Sequence, residues 1–139
     1  MGIEFYGDSR SNPSAIVIRR KAKVDGIKFF SPPNFGLQIG LMTREKESFV
    51  PPHIHNKVNR SIEQTQEVLI VRQGSCRIDL LTESGKLTES IKLSIGDTIL
   101  LAHGAHSIEF LDDCEILEVK QGPYAFDKDK TLLDYDPSK

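Results

Sequence analysis

The chain has 139 residues, of which 38% are hydrophobic and 27% are charged, and this predicts one globular domain with a substantial apolar core. Its formal net charge of -2 includes no basic surplus, which argues against a nucleic-acid partner. No apolar run is long enough to span a membrane, and the N-terminus lacks a signal-peptide pattern. We therefore expect a single cytoplasmic domain over residues 1–139, with a core at about 14–124 and a C-terminal extension at 125–139.

Turn signals divide the first part of the chain into short β-prone runs. Residues 1–13 are polar and predict a loose or edge-pairing arm. The β-branched run at 15–18 predicts a strand, and Asp25-Gly26 predicts a hairpin turn that returns through 27–30. A further strand is expected at 35–43, before a charged turn and a double proline.

After residue 66 the pattern becomes repetitive β-structure. Strands are predicted at 67–73, 76–80, 91–93, 98–101 and 114–120, with turns between them. Both faces of the first of these strands are apolar, which indicates burial on two sides, either in a layered barrel or at a dimer interface. No long helical period occurs before residue 124, so the predicted fold class is an all-β barrel or sandwich.

Four polar side chains form the predicted metal site. His53 and His55 lie two positions apart, and on an extended strand residues i and i+2 project from the same face. Glu67 opens a β-prone run, and His106 follows a later one. His103 has the opposite strand parity to His106, so it is expected to point away, with replacement of a ligand as the alternative.

Three neutral imidazoles and one carboxylate suit a divalent transition metal, namely Fe, Mn, Ni, Cu or Zn, and leave positions open for a small-molecule ligand. The polar segment 56–66 is predicted to be a loop over the site. Arg60, Gln64 and Gln121 are candidate substrate-binding residues, with a solvated lid that contacts no ligand as the alternative. The residues assign no catalytic role.

The two cysteines, Cys76 and Cys114, are too few and too widely spaced to predict a disulfide framework or a structural zinc site. Cys76 shares strand parity with Ile78 and Leu80. It is therefore predicted to be a buried free thiol.

Residues 51–110 resemble the two motifs of the cupin superfamily, small β-barrels that commonly hold one divalent metal. His53-Ile54-His55 matches the histidine pair of the first motif, and Glu67 lies seven positions before Gly74, as that motif requires. The second motif begins at Gly96-Asp97 and ends at Gly104 and His106. Two features depart from the pattern. A loop is inserted between His55 and Glu67, and Ala102 replaces the proline of a second motif that is one residue short.

A closer similarity, through residues 65–69 and 119–124, is to small single-domain bacterial cupins. It implies a cupin-type double-stranded β-helix, or jelly-roll barrel, and an association with surface-polysaccharide and sugar-modification pathways. Two function classes stay open: a small metal-dependent enzyme acting on a polar sugar-derived or carboxylated metabolite, and a non-catalytic module that binds such a molecule. The two-sided apolar strands and the N-terminal strand also predict a homodimer.

Overall fold

The computed structural model describes residues 2–138, which fold into β-strands with one short 3-10 helix near the C-terminus. The strands are β1 (Ile3–Tyr6), β2 (Ala15–Ile18), β3 (Gly26–Phe29), β4 (Gly40–Thr43), β5 (Glu67–Gln73), β6 (Ser75–Leu81), β7 (Leu87–Ser94), β8 (Thr98–Leu101), β9 (Ala105–Phe110) and β10 (Glu115–Lys120), and the 3-10 helix is Phe126–Lys128. None of the helical structure within residues 2–138 is long and apolar enough to cross a lipid bilayer.

The strands form three antiparallel sheets, none of which closes into a barrel. The five-stranded sheet has the order β1-β2-β8-β5-β10, and the three-stranded sheet has the order β7-β6-β9. β3 and β4 form a separate two-stranded sheet. In the five-stranded sheet Ile99 of β8 lies opposite both Val17 of β2 and Leu69 of β5, so strands from distant parts of the chain meet at its centre.

The inner core lies between the five-stranded and three-stranded sheets. Every strand except β3 and β4 contributes an apolar side chain to this core or packs one against it. Its buried members are Ala15, Val17, Leu69, Val71, Cys76, Ile78, Leu80, Ile91, Leu93, Ile99 and Leu101. Alternation along each strand places these residues on one face, and this burial of apolar surface holds the two sheets together.

The outer core covers the opposite face of the five-stranded sheet. Its buried members are Ile16, Ile18, Ala22, Phe35, Ile39, Leu100 and Ala102, and Val68 packs against them. The five-stranded sheet is therefore apolar on both faces, which confirms the two-sided burial predicted for β5.

The predicted all-β class is confirmed, and so are the strands expected after residue 66. The hairpin predicted at Asp25-Gly26 is wrong, because β3 pairs with β4 while β2 lies between β1 and β8. The strand expected at 35–43 is limited to Gly40–Thr43, because Phe35 and Ile39 instead cover the outer face of the five-stranded sheet.

A buried carboxylate fixes the corner where β2, β7 and β8 meet. Asp97 Oδ1 accepts a hydrogen bond from the Arg20 backbone N–H at 2.9 Å. Asp97 Oδ2 accepts from the Ser94 backbone N–H at 3.0 Å and from Arg19 Nη1 at 3.1 Å. Arg19 also donates to the Glu4 carboxylate at 2.8 Å, and this pairing lowers the pKa of Glu4. Charge-assisted hydrogen bonds thus hold this corner.

The C-terminal segment, residues 126–138, is attached at two polar points. The Tyr135 hydroxyl donates to Asp79 Oδ2 at 2.8 Å on the outer face of the three-stranded sheet. Burial raises the pKa of Asp79, but hydrogen bonds from Ser90 and Tyr135 outweigh it, so the pKa lies below its usual value. Lys120 Nζ lies 3.2 Å from Asp129 Oδ2. These two contacts hold the segment against the domain, with Asp129 and Lys130 beside the cleft described below.

Candidate functional site

A cleft of about 360 Å³ opens at one end of the inner core, between the five-stranded and three-stranded sheets. Leu101 and Ile108 supply apolar surface, and the remaining lining is mostly polar. The polar and charged lining residues are Gln64, Thr65, Glu67, His103, His106, Glu118, Lys120, Asp129 and Lys130. An apolar base with polar groups around it is typical of small-molecule sites.

Two side chains from different sheets meet inside this cleft. Glu67 is the first residue of β5, and His106 is the second residue of β9. Strand alternation places Glu67 on the same face as Leu69 and His106 on the same face as Ile108, and both of these faces turn toward the inner core. The His106 Nε2 atom lies 2.8 Å from Glu67 Oε1, and the Glu67 side chain is only 14% exposed. The sequence predicted that these two residues converge, and the structure brings them into direct contact.

A second carboxyl group completes this cluster. The hydrogen bond from His106 is the main effect on the pKa of Glu67, which is lowered to about 2 against the opposing effect of burial, and a hydrogen bond from Glu118 acts in the same direction. That same bond to Glu67, together with burial, raises the pKa of Glu118. Glu67 is therefore the permanent anion of the cluster, while Glu118 takes up a proton more readily than an ordinary glutamate.

Two lysines and a further histidine also line the cleft. Lys120 is paired with Asp129, whose side chain is 11% exposed. Lys130 is exposed and makes no ion pair with any residue in the described range 2–138. His103 lies at the rim, where its Nε2 donates to the Asn12 carbonyl at 3.1 Å, although it was expected to point away from the site.

His53 and His55 lie in an exposed irregular segment, residues 44–65, and neither of them lines the cleft. Their rings are close to each other, with centroids 5.1 Å apart in an edge-to-face arrangement. His53 Nδ1 donates to the Pro51 carbonyl at 2.9 Å. The two histidine side chains therefore lie next to each other, but outside the cleft that contains Glu67 and His106.

The structure does not bring the four predicted metal ligands together. Across residues 2–138 no group of three or more histidine, cysteine, aspartate or glutamate side chains is placed to hold a metal ion. Glu67 and His106 are the two predicted ligands that converge, and they are hydrogen-bonded to each other.

The three predicted substrate-binding residues lie in different places. Gln64 lines the cleft. Arg60 lines a separate groove with Pro33 and Phe35. Gln121 lies against Gly36, and its Oε1 accepts a hydrogen bond from the Gln66 backbone N–H at 3.4 Å. Of the three, Gln64 is the one that the structure places with Glu67 and His106.

Four charged residues of the cleft were missed from the sequence: Glu118, Lys120, Asp129 and Lys130. The available signal for the first two was strand parity, since Glu118 and Lys120 alternate with the apolar residues Leu117 and Val119 in β10. For Asp129 and Lys130, in a charged C-terminal segment, no local pattern marks a site.

Comparison of the chain with known proteins gives no identification. No protein-family model, curated protein or solved structure matches it.

Proposed function

We propose that this chain is a small cupin-type domain whose cleft binds a polar, sugar-derived or carboxylated metabolite. The observation that carries the proposal is the 2.8 Å contact between Glu67 and His106. These residues come from the two cupin-like motifs and from different sheets, and they meet in an open cleft. The jelly-roll architecture is part of this proposal, supported by the face-to-face packing of two antiparallel sheets around the inner core.

The lining residues match a hydroxylated ligand in chemical terms. The ionised Glu67 carboxylate accepts hydrogen bonds from hydroxyl groups, and the Gln64 amide can both donate and accept. The carbon skeleton of the ligand would contact Leu101 and Ile108. A binding role needs no further group, so the non-catalytic binding module is the function that the geometry supports best.

The test is thermal unfolding in the presence of single sugars, sugar phosphates and small carboxylic acids. A ligand at ten times its Kd stabilises by about 1.4 kcal/mol, which raises the Tm by roughly 5 °C. We expect this rise in the wild-type protein and in Glu89→Gln, which removes an exposed carboxylate of β7, but not in Glu67→Gln. Equal stabilisation of all three proteins would place the ligand elsewhere, and no stabilisation by any compound would reject the proposal.

An enzymatic role is the second candidate, and the Glu67–His106 hydrogen bond favours it. An imidazole held by a carboxylate is suited to moving a proton to and from a bound molecule, as isomerisation or epimerisation requires. For a ligand found by thermal unfolding, NMR in heavy water would detect exchange of a carbon-bound hydrogen. Exchange that is lost in His106→Asn, while binding is kept, would establish proton transfer. Binding without exchange would leave the module non-catalytic.

The divalent transition metal stays a prediction from the sequence and the cupin resemblance. It would require the exposed segment 44–65 to move so that His53 and His55 reach Glu67 and His106. Titration of the protein with Zn²⁺ and with Mn²⁺, followed by calorimetry, tests this requirement. One tight site that is lost both in Glu67→Gln and in the His53→Ala/His55→Ala variant would support it, whereas a site lost only in the histidine variant would place the metal outside the cleft. The homodimer also stays a prediction, and sedimentation equilibrium would decide it.

A further inference from the structure

The two cysteines are far apart in the sequence but belong to one cluster in the structure. Cys76 is fully buried in β6, on the face that includes Ile78. Cys114 is partly buried and packs against the same inner core, immediately before β10 begins. Both are free thiols. One belongs to the three-stranded sheet and the other leads into the five-stranded sheet.

Gly74 brings the backbones of these two regions together. It joins β5 to β6 with a φ of 75°, a conformation that glycine adopts without steric cost. A Cβ atom at this position would lie 3.1 Å from Cys114 Cα and would collide with the Asp113 carbonyl. Only a residue without a side chain allows the 113–114 backbone to pass so close to the turn, two residues before Cys76.

We propose that Cys76 and Cys114 are a dithiol pair that a disulfide oxidant converts into an intramolecular disulfide, joining the two sheets covalently. The bond would lie at the end of the inner core away from the cleft. In β6, Cys76 is four residues from Leu80, which lies opposite His106 in β9, and this corresponds to about 13 Å along the strand. The proposal is independent of the function of the cleft.

Oxidised glutathione provides a balanced reaction. The more accessible Cys114 thiolate attacks one sulfur of the oxidant, forming a mixed disulfide and releasing one glutathione thiolate. The Cys76 thiolate then attacks the Cys114 sulfur, closing the protein disulfide and releasing the second glutathione thiolate. Two protein S–H bonds are lost, one S–S bond forms, and each proton passes to a released glutathione.

The second step should be the slow one. Burial, together with the neighbouring Cys114 thiol, raises the pKa of Cys76 to about 11, so little thiolate is present at neutral pH. Closure should therefore accelerate by about tenfold for each unit that the pH is raised, as long as the pH stays below that pKa.

The test is incubation of the full chain with oxidised glutathione, followed by intact-mass measurement and peptide mapping under non-reducing conditions. We expect a monomer that is lighter by two hydrogen atoms, with a linked peptide pair containing Cys76 and Cys114, and a higher urea midpoint that reverts with dithiothreitol. In Cys76→Ala the glutathione adduct on Cys114 should accumulate, and in Cys114→Ala the buried Cys76 should stay unmodified.

Three results would overturn the proposal. They are a glutathione adduct that persists on Cys114 in the wild-type chain even when the pH is raised, linkage only between different molecules, and no change in mass although urea-unfolded protein reacts. The wild-type mass alone distinguishes these outcomes, so the proposal stays testable if either alanine variant fails to fold.

Discussion

Asp97→Asn should destabilise the protein strongly, although it replaces one atom and lies outside the cleft. Asp97 is 8% exposed and accepts three hydrogen bonds. An asparagine has one side-chain oxygen, and placing it toward Arg19 and Ser94 keeps two of these bonds. The amide group then faces the Arg20 backbone N–H, which is left without an acceptor.

The magnitude follows from these contacts. A buried donor that loses its acceptor costs about 1–3 kcal/mol, and changing the charged acceptor of Arg19 to a neutral one costs about 1 kcal/mol more. We therefore expect the free energy of unfolding to fall by about 3 kcal/mol. With a urea m-value of about 2 kcal/mol/M, the midpoint should drop by about 1.5 M while the m-value itself stays constant.

Urea unfolding followed by circular dichroism measures this loss. The matched control is Asp25→Asn, the same change of charge at an exposed aspartate, which should alter stability by less than about 0.5 kcal/mol. If both variants shift the midpoint equally, net charge rather than buried hydrogen bonding explains the effect. The Asp97 hydrogen bonds would then not be what holds the corner of β2, β7 and β8.

Three further predictions concern the cleft, the C-terminal segment and the core. The pKa of Glu67 is lowered from 4.5 to about 2, so the folded protein should lose about 3 kcal/mol as the pH falls through this window, and Glu67→Gln should flatten that part of the stability profile measured by urea unfolding. Tyr135→Phe removes the hydroxyl bond to a buried carboxylate and should speed amide exchange in residues 129–138 by about fivefold, measured by mass spectrometry, whereas Tyr124→Phe should not. Ile78→Ala should cost about 3 kcal/mol in the same unfolding assay, and Ile54→Ala, at a residue 86% exposed, should cost almost nothing.

The later strands could be predicted because their signals are local and agree with one another. β5 begins and ends at the residues expected from its β-prone run and its terminal glycine. In β6, the core residues Cys76, Ile78 and Leu80 alternate with polar residues on the other face, and the loop at 82–86 closes a hairpin onto β7. Period-two alternation and turn chemistry operate within a few residues, so one sequence is enough to find them.

The prediction of a hairpin at Asp25-Gly26 was wrong because distant segments of the chain compete for pairing with the same strand. Both edges of β2 are taken, by β1 on one side and by β8 on the other. A turn signal carries no information about which strand wins such a competition. Gly26 still adopts a positive φ of 70°, so the residue does turn the chain, but not into a hairpin with β2.

The candidate site was half predictable for a related reason. Glu67 and His106 lie on regular strands whose inward faces are set by alternation, and their meeting followed from the motif spacing. His53 and His55 lie outside any strand, so strand parity does not determine where they point; their rings contact each other but lie outside the cleft. Cys76 was correctly predicted to be buried, but its proximity to Cys114 depends on the turn at Gly74.

The strand order of the five-stranded sheet also has a consequence for how fast the chain can fold. Apart from β1 and β2, no neighbouring strands in that sheet are consecutive in the chain. Pairing of β2 with β8, for example, requires Ile18 to come next to Thr98. Such distant partners require a large loss of chain entropy before any contact compensates for it, so folding in milliseconds to seconds is expected rather than in microseconds. During that interval the apolar faces of β2, β5 and β8 stay uncovered, and association between nascent chains competes with formation of the sheet.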